Sequence, residues 1–175
     1  MNSKLWACGA LIAAQAFSIN ANQVKQSIQS SLPELESIYH HLHQNPELSK
    51  VEFKTANYLA KQLRTYGYEV TEGIAKTGLV AMFKNGDGPT VMLRADTDAL
   101  PVLEKTVLPY ASKAKAKNEA GEEVSVMHAC GHDMHMTVLL GTAKQMMLHK
   151  DKWRGTLMLI AQPGEEVGYG AKLML

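Results

Sequence analysis

Three short segments carry side chains whose types and spacing can do chemistry. Residues 127–135 (MHACGHDMH) hold His128, Cys130, His132, Asp133 and His135. Cys130 and His132 are two apart, so on a helix they would diverge. On a loop they can converge, with Gly131 between them free to take the backbone angles this needs. Thiolate and imidazole are both good donors to zinc or another divalent first-row metal. Asp133 is placed to cap the following helix or to accept from a ligand imidazole. The competing reading is a buried cysteine beside surface histidines.

The second segment, residues 162–166 (QPGEE), ends an apolar run with two adjacent carboxylates. That is costly unless something positive neutralises them. Neighbouring side chains diverge, so one can bind metal while the other reaches an activated water as general base. A solvated acidic loop is the alternative. The third segment is residues 94–101 (RADTDALP). Asp96 and Asp98 share a face if the strand continues, at what would be the rim of a site. The alternative is a strand-end turn with a structural Arg–Asp pair. His40, His41 and His43 read instead as a helix face with C-terminal dipole partners, and His149 as a surface residue.

The elements that must position these segments follow from hydrophobic periodicity. Leu35, Ile38, Tyr39 and Leu42 follow Ser31-Leu32-Pro33, which predicts a helix with proline near its first turn, stopped by Asn45-Pro46. Phe53, Ala56, Leu59, Ala60, Leu63 and Tyr66 predict a second helix closed by Gly67. A short strand is expected at 68–71, with further strands at 78–84 and 90–96 joined by the turn-rich residues 85–89. Residues 111–123 read as a polar loop or hairpin tip. A third helix is expected from Asp133 to about Lys150, its methionines serving as core filler. Residues 155–162 (GTLMLIAQ) form a continuous apolar run, expected of a central strand buried on both faces. Helices alternating with strands imply a layered α/β sheet with the three segments at strand–helix junctions.

Composition sets the frame. The chain has 175 residues, 46% hydrophobic and 20% charged, which is globular rather than disordered. Its formal net charge of +1 gives no footprint for nucleic acid. The two cysteines, Cys8 and Cys130, exclude a disulfide-stapled scaffold. Lys4, the apolar residues 5–17 and the small residues after them read as a secretory signal peptide over residues 1–21, implying a periplasmic or secreted protein.

At the three segments the chain resembles the M20 metallopeptidase family. MHACGHDMH, RADTDALP and QPGEE-x-GYGAK, with upstream LHQNPELS and KTGLVA, are similar to its amidohydrolase branch. That branch includes hippurate hydrolases, N-acyl-amino-acid amidohydrolases and auxin-conjugate hydrolases. The likeness runs from about Leu32 to the last residue. It implies an α/β, three-layer zinc-peptidase-like catalytic domain, with a twisted mixed sheet flanked by helices. It also implies a pair of divalent ions (Zn, Mn, Co or Ni) and cleavage of the amide bond of N-acyl amino acids or short peptides. Position by position, Cys130, His132 and Glu166 match metal ligands, Glu165 matches the general base, and Asp96 matches an aspartate supporting the site. Arg94 stands where other branches carry a metal-binding histidine and is not read as a ligand. Gly164 replaces an alanine common in the branch.

The resemblance further implies a longer protein, with a lid or dimerisation domain and a possible homodimer. Residues 22–175 are therefore expected to be an incomplete catalytic domain and an inactive fragment. Its unfinished sheet edge would expose residues 155–161, and its final residues read as the first turns of a helix. No nucleic-acid or membrane partner is expected after signal removal. Two rival readings stay open: a hydrolase with Cys130 as nucleophile and a nearby histidine as base, and a non-catalytic metal- or partner-binding fragment.

Overall fold

The computed structural model describes residues 21–175, so the run at 5–17 that carries the signal-peptide expectation lies outside the described residues. In chain order the elements are α1 (Ala21–Gln44), α2 (Phe53–Thr65), β1 (Glu69–Ile74), β2 (Gly78–Asn85) and β3 (Thr90–Asp96). They continue with β4 (Lys115–Lys117), β5 (Glu123–Ser125), α3 (His132–Leu148), β6 (Gly155–Gln162) and α4 (Gly170–Met174).

β1, β2, β6 and β3 form one sheet in that order, and β4 with β5 form a separate hairpin. β6 runs antiparallel to β2 and parallel to β3, giving the expected mixed sheet. The turn-rich residues 85–89 therefore do not join paired strands. β6 inserts between β2 and β3, and its Thr156 N–H donates to the Pro89 carbonyl at 2.9 Å.

The core lies where α1, α2 and α3 meet one face of the sheet. Ile38 and Leu42 of α1, Leu59 and Leu63 of α2, and Met136, Leu139 and Leu140 of α3 pack with Leu79, Ala81, Ala95, Leu157, Leu159 and Ala161 of the strands. Leu59, Leu63, Leu79, Leu140 and Leu159 are fully buried, each contributing about 2 kcal/mol of transfer free energy.

Three expectations need correction. β6 is central by pairing, yet its burial alternates: Thr156, Met158 and Ile160 are only half-buried, because the described helices' core residues meet the other face. The unpaired edge next to it is β3, whose Val91 and Met92 are exposed, so the 155–161 run is not the exposed edge. Finally, α1 begins ten residues before Ser31 and carries Pro33 in its interior. Its first half is mostly polar, with Val24, Ile28 and Leu32 as a thin apolar row. It is held to α3 by Gln145, whose side-chain N–H donates to Ser31 Oγ at 3.2 Å and to the Ser27 carbonyl at 3.4 Å.

Candidate metal centre

Parallel pairing of β3 with β6 sets Asp96 beside Gln162, so the two strands end together. Thr97 locks the ends: its N–H and its hydroxyl each donate to the Gln162 carbonyl at 3.0 Å. Residues 96–98 and 163–166 thus emerge at one rim, where sites in α/β sheets form. The N-terminus of α3 brings His132 to the same rim. Gly131, just before it, sits at φ +82°, a left-handed angle that a side chain would strain.

His132 is the hub. It is 4% exposed. Its Nδ1 donates to the Asp98 carbonyl at 2.8 Å and lies 3.5 Å from Asp98 Oδ1. Because a carbonyl can only accept, Nδ1 carries a proton, and Nε2 is the nitrogen that can bind a ligand once its own proton is displaced. Nε2 lies 3.8 Å from Glu165 Oε2 and 3.9 Å from Glu166 Oε1. Hydrogen bonding to Asp98, against the penalty of burial, raises the His132 pKa to about 9.

Asp98 organises the other side. Ser49 Oγ donates to its Oδ2 at 2.6 Å and the Glu166 N–H donates to the same oxygen at 3.0 Å. Burial alone would raise the Asp98 pKa, but His132, Ser49 and backbone N–H donors bring it down to about 2.

Among the described residues, two groups of donor atoms are close enough to share a cation, each spanning no more than 4.8 Å: Asp96, His132 and His135, and His132, Glu165 and Glu166. Asp96 Oδ1, Asp98 Oδ1 and Glu166 Oε1 are buried and lack hydrogen-bond partners. A buried unpaired acceptor costs about 1–3 kcal/mol, so these oxygens fit the role of cation ligands. Zinc, manganese and related divalent ions accept such a mixed nitrogen and oxygen donor set.

The structure brings together His132, Glu165, Glu166 and Asp96. Cys130 is exposed and belongs to neither three-residue group, but its thiol hydrogen-bonds Glu166. That bond, with burial and the nearby Glu165 and Asp98, raises the Cys130 pKa. The Arg–Asp alternative at the third segment also has substance. Arg94 donates to Asp96 Oδ2 at 3.2 Å and to Gln162 Oε1 at 2.6 Å, and is not a ligand.

Sequence reasoning gave little weight to two residues. The shared face of Asp96 and Asp98 does not show that Asp98 Oδ2 accepts from Ser49 and the Glu166 N–H while Asp96 Oδ2 accepts from Arg94, each aspartate keeping one unpartnered oxygen. His43 was read as a helix-end dipole partner. It is buried, with Nδ1 at 2.6 Å from Asp133 Oδ2 and Nε2 at 3.1 Å from Glu104 Oε1. Its signal was the run of polar types just before Asn45-Pro46, where a solvated helix end and a buried ion cluster look alike.

Fold and site together define an α/β protein with a histidine–carboxylate cluster at the ends of adjacent parallel strands. Comparison with known proteins narrows the class. The profile of Peptidase family M20/M25/M40 matches residues 92–175. The chain is 45% identical over 139 residues to the N-acetyl-L-cysteine deacetylase of Bacillus subtilis, covering 79% of this chain and 31% of that protein. It is 47% identical over 143 residues to the hippurate hydrolase of Campylobacter jejuni, covering 81% and 34%. Among solved structures, the Bacillus subtilis YXEP protein, a dinuclear metal-binding peptidase of family M20, superposes with a TM-score of 0.71 at 36% identity, covering 84% of this chain and 38% of that one. The chain belongs to the M20 family. It spans about a third of the length of the curated relatives it matches.

Proposed function

We propose that this chain carries part of the active site of a metal-dependent amidohydrolase acting on N-acyl amino acids or short peptides. One observation carries the reading: His132 Nε2 faces Glu165 and Glu166, and Glu166 keeps a buried oxygen without a partner. The names of the relatives, a deacetylase and a hippurate hydrolase, support the substrate class.

His132 and Glu166 would hold a divalent ion, with Cys130, Asp96 and His135 as further donors. Bound there, such an ion lowers the pKa of water and polarises a carbonyl. The residues then divide the work. Asp98 fixes the His132 tautomer through its carbonyl and holds Glu166 through its carboxylate. Glu165, whose side chain is 41% exposed, can swing toward substrate while Glu166 stays half-buried. Glu165 takes a proton from the attacking water and returns it to the departing nitrogen. In a full-length form, Glu165→Gln should therefore cut kcat by roughly 10²-fold or more with metal content near that of the unmutated protein. Full turnover in that variant would refute the base assignment.

The Cys130 nucleophile reading fares worse. An attacking cysteine needs a lowered thiol pKa, whereas the surroundings of Cys130 raise it. Inhibition by a chelator, with insensitivity to a thiol alkylator at saturating metal, separates the two. We further propose that the 175-residue chain alone holds metal weakly and turns over little, since both donor groups draw on the single imidazole of His132. A homodimer in a longer form and export to the periplasm or medium complete the proposal. Export is supported by Lys4 and the apolar residues 5–17.

A further inference from the structure

Glu52 is fully buried and has no part in the reaction described above. It sits at the N-cap of α2, yet its side chain does not cap that helix. Its carboxylate turns into the fold and collects three donors from three separate segments. The Lys50 N–H donates to Oε1 at 3.0 Å, the Gly164 N–H donates to Oε1 at 2.8 Å, and Thr77 Oγ1 donates to Oε2 at 2.6 Å. A buried carboxylate without a cation needs such donors to be tolerated at all.

Two of the three lead to the metal centre. Gly164 immediately precedes Glu165 and holds a left-handed φ of +59°. Lys50, itself at φ +68°, follows Ser49, whose hydroxyl reaches Asp98 Oδ2. That same oxygen receives the Glu166 N–H. Glu166 is thus held from both directions by connections that begin at Glu52. One runs through Gly164 along the chain. The other runs through Lys50, Ser49 and Asp98 across space.

We infer that Glu52 is a positioning residue that sets the Gly164–Glu165–Glu166 turn against His132. This rests on the hydrolase reading only for its consequence in catalysis; the placement of the turn is testable without it. A glutamine can keep the arrangement, because its carbonyl oxygen can accept both backbone N–H groups while its amide donates to Thr77 Oγ1. Methionine fills the space with no acceptor. Aspartate keeps the charge but draws the carboxylate back by one methylene.

The test uses the metal-free isotope-labelled chain and the same chain titrated with Co²⁺. In the unmutated chain the Gly164 amide should exchange slowly and show the downfield shift of a proton bonded to carboxylate. Glu52→Met should abolish both and weaken Co²⁺ affinity roughly tenfold or more, with an altered visible absorption. Glu52→Gln should keep slow exchange and stay within about threefold of the unmutated affinity, a rescue that bulk destabilisation would not give. Should Glu52→Met fail to fold, Glu52→Asp is read in its place with the same expectation. A folded Met or Asp variant with unchanged Gly164 exchange and unchanged Co²⁺ affinity would overturn the inference. If the unmutated chain takes up no Co²⁺, the claim that this chain holds metal by itself fails, and Gly164 exchange alone decides the role of Glu52.

Discussion

The Nδ1–H of His132 points at the backbone carbonyl of Asp98, 2.8 Å away, while Asp98 Oδ2 accepts from Ser49 and the Glu166 N–H. One residue therefore orients the imidazole with its main chain and the second carboxylate with its side chain. The two functions separate on mutation. In Asp98→Asn the carbonyl contact stays and the charge goes. The His132 pKa should then fall from about 9 toward the ordinary histidine value, as read by NMR titration of the metal-free chain. Metal affinity should fall roughly 10- to 100-fold, the usual cost of losing a residue that supports a ligand. A His132 pKa unmoved by Asp98→Asn would contradict the electrostatic account.

His43 gives a pH dependence of stability. Burial disfavours its charge, but hydrogen bonds to Glu104 and Asp133 outweigh burial and raise its pKa. With a carboxylate at each nitrogen, the folded state favours the imidazolium. Between the unfolded value of about 6.5 and the higher folded value, the native state binds the proton and the unfolded chain does not. The contribution is therefore complete below pH about 6.5 and lost as pH rises through the folded pKa. Urea unfolding from mildly acidic to mildly alkaline pH should show this decline, and His43→Gln should show less of it. Equal slopes in the two proteins would refute the assignment.

Much of this was legible in the sequence. α2 was readable because its apolar residues recur at helical spacing, and β6 because its apolar run is bounded by glycine and proline. The first half of α1 was not readable, because its apolar row is only Val24, Ile28 and Leu32 in a polar stretch and its hold on α3 comes from Gln145, far away in sequence. The sheet order was not readable either: residues 85–89 look like a local turn, and nothing nearby in sequence says that β6, some sixty residues later, will part the strands they connect. Within the site, donor types and spacing pointed to His132, Glu165 and Glu166. The different partners of Asp96 and Asp98, Arg94 for one and Ser49 with the Glu166 N–H for the other, are set across space, and period-two alternation carries no such information.

Gly170 tests the packing beneath the site. A Cβ added there would lie 1.8 Å from the Pro163 carbonyl oxygen, and Pro163 leads directly into the Gly164–Glu166 turn. Gly170→Ala should cost about 1–3 kcal/mol of stability, as overpacking does, and weaken metal binding with it. Thermal unfolding together with a metal titration reads both. Unchanged values in each would mean that α4 relaxes freely away from Pro163.

Export is checked at the chain's start. If the chain starts with a signal peptide, N-terminal sequencing of periplasmic or secreted material should begin near Asn22, or at Phe17 if cleavage follows Ala16 instead of Ala21. Recovery of Met1 as the only N-terminus, in the cytosol alone, would contradict it.

The central claim is that His132 anchors a divalent ion with the adjacent carboxylates. Calorimetric titration of Zn²⁺ or Mn²⁺ into the chain and into His132→Ala tests it most directly, with Glu165→Gln as the comparison. The account predicts metal uptake by the unmutated chain, little change in Glu165→Gln, and loss of the binding heat in His132→Ala. Equal affinity in the unmutated chain and His132→Ala would contradict it.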